Sequence, residues 1–187
     1  WGLVSSNTGE VNDDGFQVLE HAGMNALADR LHKYIKSDIL TTGWDKDVVL
    51  VNMQGTPLDQ WYDKGEPNAL RLPDGTVFIM GQITTNSICS NPDLKSGGYC
   101  STIVVWFPPK NKQRVEGKNQ FNFYLMKNRL IPWGVSYDPH NAFGKNCKIS
   151  TNNRQSGRGC TAWVLEKENM DYLHCNDLSW DGKSKCK

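Results

Sequence analysis

The sequence predicts an α+β domain in which an N-terminal helix packs on an antiparallel β-sheet and the C-terminal loops are stapled by disulfides. Three observations predict it. A single apolar stripe recurs at helical spacing early in the chain. Short apolar runs, punctuated by Pro, Gly and Asn, follow it. Six cysteines then close short polar segments.

The helix is expected over Phe16–Leu40. Phe16, Leu19, Gly23, Leu27, Leu31, Tyr34/Ile35 and Ile39 share one face. Asp13 and Asp14 supply an N-terminal cap or favourable dipole charge, and Gly43 is a stop signal. A helix with one apolar stripe needs a cover, and the strands downstream are the candidates. Residues 1–14 are polar and irregular and have no place in this scheme.

Val48-Val49-Leu50-Val51 reads as a short strand, and residues 54–70 as a loop anchored by Trp61 and Tyr62. Leu70-Arg71-Leu72 and Thr76–Met80 flank Pro73-Asp74-Gly75, which predicts a hairpin. Ser101–Phe107 is the next strand, with a β-branched centre suited to a sheet interior, and Pro108-Pro109 ends it. Over Gln120–Met126 the chain alternates: Phe121, Phe123 and Leu125 point one way, Asn122 and Tyr124 the other. A turn at Asn128 leads to Leu130-Ile131-Pro132. Together these runs form an antiparallel meander. A short helix is expected over Ala162–Tyr172, with Trp163 buried at its head.

The cysteines are Cys89, Cys100, Cys147, Cys160, Cys175 and Cys186. Sequential pairing closes three short loops, each containing Gly or Pro and too polar to order itself. In the chain-entropy model a link of that span offsets roughly 3 kcal/mol of disorder. Zinc prefers CxxC or HxxxH spacing, and neither occurs; His174 beside Cys175 is poor geometry for two ligands. Disulfides place the chain in an oxidising compartment, periplasmic or extracellular.

The length of 187 residues fits one domain spanning the chain. Net charge is +1. The basic run Lys110, Lys112, Arg114 and Lys118 is expected to be a solvated loop, so nucleic acid is not an expected partner. The apolar run Ile103–Pro109 falls far short of the ~20 residues that span a bilayer. Because the chain opens on Trp1, an N-terminal segment is expected to have been cleaved or to lie upstream.

No catalytic constellation emerges, and no cofactor or metal is expected. His174–Cys175 would need a free thiolate, whereas the even cysteine count favours a bridged sulfur. No G-x-S-x-G elbow accompanies His21, His32, His140 or His174, and Gly97-Gly98 precedes no helix. Asp45, Asp47, Asp59, Asp63 and Glu66 cluster with Trp44, Trp61 and Tyr62. That loop is the basis of an alternative, a secreted carbohydrate-binding module or small hydrolase. Trp180, inside the Cys175–Cys186 loop, is the leading candidate contact residue, with Trp61 and Tyr62 beside it.

One further pattern joins these elements. Pro73-Asp74-Gly75 is followed by Cys89 and Cys100, Ile103-Val104-Val105, then Gly117-Lys118-Asn119-Gln120-Phe121-Asn122-Phe123-Tyr124-Leu125 and Arg129-Leu130-Ile131-Pro132-Trp133-Gly134. The tail has Gly159-Cys160-Thr161-Ala162-Trp163-Val164, Asn169-Met170-Asp171-Tyr172-Leu173 and Cys175. This series, over about half the chain, resembles the soluble domains of bacterial type IV pilins and type II secretion pseudopilins. Asn119 or Gln120 stands where that family has Asp, and no Asp cluster matches its calcium loop, so no calcium site is carried over. The resemblance implies a structural and adhesive subunit whose partners are other subunits of a filament, with contacts to a surface or cargo. It implies inner-membrane anchoring before assembly, through a hydrophobic N-terminal helix that these residues do not include.

Overall fold

A computed structural model describes residues 28–29, 31–40, 44–58, 69–81, 99, 101–126, 129–150 and 153–186. The expected hairpin is its centre. Strand β3 (Ala69–Arg71) and β4 (Val77–Met80) pair antiparallel, with Leu70 opposite Phe78. Gly75, at φ 90°, takes the left-handed position of the turn, and the Asp74 carboxylate accepts the Thr76 N–H at 2.9 Å. This bond holds the exposed Asp74 carboxyl below its usual range.

The sheet grows from both sides of the hairpin. Strand β1 (Asp38–Ile39) joins β3, and β5 (Ser101–Trp106), β7 (Gln120–Leu125) and β8 (Leu130–Pro132) follow β4. All these pairs are antiparallel, in the order β1-β3-β4-β5-β7-β8.

Strand β1 corrects the expected extent of the N-terminal helix. Ala28, Asp29, Leu31 and His32 are helical, but the chain turns after them and Asp38–Ile39 is extended. Ile39 meets the helical spacing, yet it opposes Leu70 on an otherwise open edge, and that pairing decides its conformation. Residues 16–27 of the expected helix lie outside the described residues.

The meander also carries an excursion that its sequence pattern did not predict. Strand β2 (Val49–Val51) runs parallel to β6 (Gln113–Val115), forming a separate two-stranded sheet. Strand β6 lies inside the basic run expected to be a solvated loop. Lys110 and Lys112 are exposed, but Arg114 and Glu116 are buried, with 1% and 0% of their surface accessible. The correction has a physical cause: both charges are met inside the fold, as described below.

Alternation divides the main sheet into two faces. On one, Leu70, Met80, Ile103 and Leu125 pack against Ala28 and Leu31, with Phe78 and Phe123 alongside. On the other, Ala69, Val77, Ile79 and Trp106 pack against Val48, with Trp44 at 6.3 Å from Trp106. Toward β7 and β8 this second face turns polar, and the C-terminal segment covers it. Gln120, Asn122 and Tyr124 are therefore more deeply buried than Phe121 and Phe123.

The covering segment is a cap without strands. Helix α1 (Phe143–Asn146), a 3₁₀ turn over Arg158–Cys160, helix α2 (Thr161–Lys167) and a 3₁₀ turn over Asp171–Leu173 surround a ring cluster. Phe143 stacks on Trp163 with centroids 4.1 Å apart, and Trp180 lies 5.2 Å from Trp163. The short helix therefore exists and buries Trp163, but it ends at Lys167, where Glu168 adopts φ 53°. Cys147–Cys160 and Cys175–Cys186 are bonded in sequential order. Cys89 and Cys100 lie outside the described residues.

Candidate functional site

The cap is fixed to the sheet by polar groups that the sheet itself leaves unmet. Beyond the end of β8, the Asn122 N–H donates to Thr161 Oγ1 at 2.9 Å. Trp133 N–H donates to Asn122 O, and Ala162 N–H to Trp133 O. Helix α2 thus continues the edge that β8 abandons. Tyr172 Oη donates to Gly117 O at 2.6 Å, and burial pushes its pKa well above the usual phenol range.

A network of charged groups runs beneath this joint. Arg158 Nε lies 3.1 and 3.2 Å from the two Glu116 oxygens. Burial pushes the Glu116 carboxyl up to about 7, against the pull of Arg158 and Arg114. Arg114 donates from Nε to Gln120 Oε1 at 2.9 Å and lies 5.7 Å from the Trp106 ring centre. Burial lowers Arg114 to about 10, although Glu116 and the buried Asp45 favour its charged form.

Beside the joint opens a concavity of about 410 Å3. Its floor is built from the edges of Tyr124 and Trp133, 5.2 Å apart, and the half-buried Tyr99 ring stands 4.9 Å from Tyr124. One wall comes from the turn after β8. There the buried Asp138 carboxylate accepts the N–H groups of His140 and Asn141 at 2.9 Å and of Gly134 at 3.1 Å. The Asn141 amide donates to Tyr124 Oη at 2.7 Å. Burial, followed by the Asp138 charge, keeps that phenol protonated far above the usual range. Lys145, Gln155 and Arg158 complete the described lining together with Thr102 and Pro139.

Of the residues weighed from the sequence, His140 lines this concavity and Trp180 is not among its described lining residues. Trp61 and Tyr62 lie outside the described residues, as do Asp59, Asp63 and Glu66. Of the remaining acids in that cluster, Asp45 is buried and Asp47 is exposed, 3.8 Å from Lys112. Trp180 is half-buried against Phe143 and Trp163 and donates from Nε1 to Gly134 O at 3.2 Å. Cys175, the sulfur beside His174, is bridged to Cys186. Among the described residues, no group of three His, Cys, Asp or Glu converges as metal ligands would.

The concavity was not anticipated, since Asp138-Pro139-His140 reads only as a turn and Gly157-Arg158-Gly159 only as loop. The available signal was the Asp three residues before Asn, in a stretch able to bond its own backbone.

Fold and cap together define a mostly antiparallel β domain carrying a disulfide-closed C-terminal cap. Its disulfides fit an oxidising compartment. Among the described residues no helix is long and apolar enough to cross a membrane. No protein-family model, curated protein or solved structure matches the chain.

Proposed function

We propose that this domain is the head of a subunit of an extracytoplasmic filament, of the type IV pilus or type II secretion pseudopilus kind. The observation that carries the reading is the covered sheet face. Helical residues Ala28 and Leu31 pack onto Leu70, Met80, Ile103 and Leu125 of an antiparallel sheet, and a disulfide-closed cap follows that sheet in the chain. The series of turn, strand and cysteine positions that resembles pilins runs through the same elements. In this reading the head coats a filament held together by a hydrophobic helix preceding it. The cross-links suit a subunit that meets proteases and mechanical load outside the cell. The head then performs no chemistry, and its exposed loops contact neighbouring subunits, surfaces or cargo.

The test is to express the full open reading frame together with a prepilin peptidase. Removal of a short basic leader and recovery of the protein in sheared filaments are expected. Release as a free monomer after cleavage of an ordinary signal peptide overturns the reading.

A further inference from the structure

The concavity beside the cap has no role in filament packing as described, and its chemistry is one-sided. Lys145 and Arg158 line it, and its described lining includes no carboxylate. Among the described residues, two acids that touch the lining, Asp138 and Glu116, are turned inward. Both Asp138 oxygens accept hydrogen bonds from the turn around Gly134–Asn141, and Glu116 faces Arg158 from inside the fold. Arg158 is already paired with Glu116, so the exposed Lys145 is the cation that this lining offers to a ligand. Side-chain amides of Asn141 and Gln155 stand at the same opening, beside the Tyr99 ring. The volume of about 410 Å3 lies in the ordinary range of small-ligand sites.

We propose that this concavity binds an acidic sugar unit of a polysaccharide. The carboxylate meets the charge of Lys145, the hydroxyls meet the amides, and the sugar ring lies against Tyr99. A neutral sugar lacks the first interaction. An acidic peptide supplies a carboxylate but not the dense hydroxyls that side-chain amides of the lining can satisfy as donor and acceptor. The proposal stands whether or not the head rides on a filament.

The experiment titrates tetragalacturonate into the ¹⁵N-labelled protein and follows the amide signals of Asn141, Lys145 and Gln155. Saturable shifts confined to these residues and their neighbours are expected. Lys145→Glu should weaken binding at least tenfold and Lys145→Gln several-fold, with the remaining spectrum unchanged as the control for folding. Raising the salt concentration should weaken binding to the wild type. Shifts scattered over the surface without saturation overturn the proposal, as does unaltered binding by Lys145→Glu. Equal binding of neutral maltotetraose removes the acidic specificity, and equal or tighter binding of tetraglutamate replaces the sugar with a peptide; either result also overturns it.

Discussion

Arg158 holds the carboxyl group of Glu116 through Nε, at 3.1 and 3.2 Å, and thereby ties the cap to the end of β6. The two residues are far apart in sequence and unequal in exposure: Glu116 has no accessible surface, while Arg158 reaches the edge of the concavity. Burial and pairing act on Glu116 in opposite directions, and burial is the larger effect.

The first prediction follows from that balance. Folded Glu116 releases its proton near pH 7, whereas an unfolded glutamate does so near 4.5. Between these values the native state binds more protons, so this group's contribution is fully present below about pH 4.5. It is lost as pH rises through 7. The Glu116→Gln variant lacks the effect. The stability of the wild type relative to this variant should therefore decline between pH 4.5 and 8, by on the order of 3 kcal/mol. Urea denaturation of both proteins at several pH values measures it. A constant difference sinks the assignment.

A second prediction concerns backbone approach. Gly134 sits at φ 95°, and a Cβ there would land on the Gly159 carbonyl. Gly75 has a similar φ of 90° but faces open space. Gly75→Ala should cost about 1 kcal/mol from backbone conformation alone. Gly134→Ala adds a steric conflict between β8 and the cap and should cost about 3 kcal/mol or more. Thermal unfolding of the two variants compares them, and equal losses would show that the close approach is absent.

The third prediction isolates one hydrogen bond. Thr161 Oγ1 accepts the buried Asn122 N–H, and both residues are almost fully enclosed. Thr161→Val keeps the shape but leaves that donor without its acceptor, at a cost of about 1–3 kcal/mol. Thr161→Ser restores the oxygen and should recover most of the loss. If Ser and Val are equally destabilising, packing rather than the hydrogen bond fastens helix α2 to β7.

Local rules made the central sheet legible. Pro73-Asp74-Gly75 announced its hairpin, and the β-branched run from Thr102 to Val105 marked a strand now paired on both sides. Sequential cysteine pairing was readable for Cys147–Cys160 and Cys175–Cys186 because each closes a loop too short and polar to fold unaided. What escaped was set by partners distant in sequence. Arg114 looks like a surface cation until Glu116, Gln120 and Trp106 surround it. Ile39 continues a helical stripe until the β3 edge claims it. The concavity was hidden for the same reason: Tyr124, Asn141 and Arg158 come from segments far apart in the chain, and no local spacing relates them.

The two described disulfides should differ in their response to reductant. Cys147 and Cys160 are buried among Phe143 and Trp163, with 1% and 0% of their surfaces accessible. Cys175 and Cys186 are half-buried at the rim, beside the exposed His174. Thiol–disulfide exchange needs a thiolate to reach a sulfur, so access governs the rate. Under native conditions dithiothreitol should open Cys175–Cys186 first. That species should retain the near-ultraviolet signal of the stacked Phe143 and Trp163 rings, because Cys147–Cys160 still closes the loop packed against them. The inner bond should yield only when the cap unfolds, so its rate should rise steeply with urea while that of the outer bond changes little. Timed alkylation followed by peptide mapping distinguishes the four sulfurs. Simultaneous labelling of all four, or prior labelling of Cys147 and Cys160, would mean that the ring cluster does not shield the inner bond.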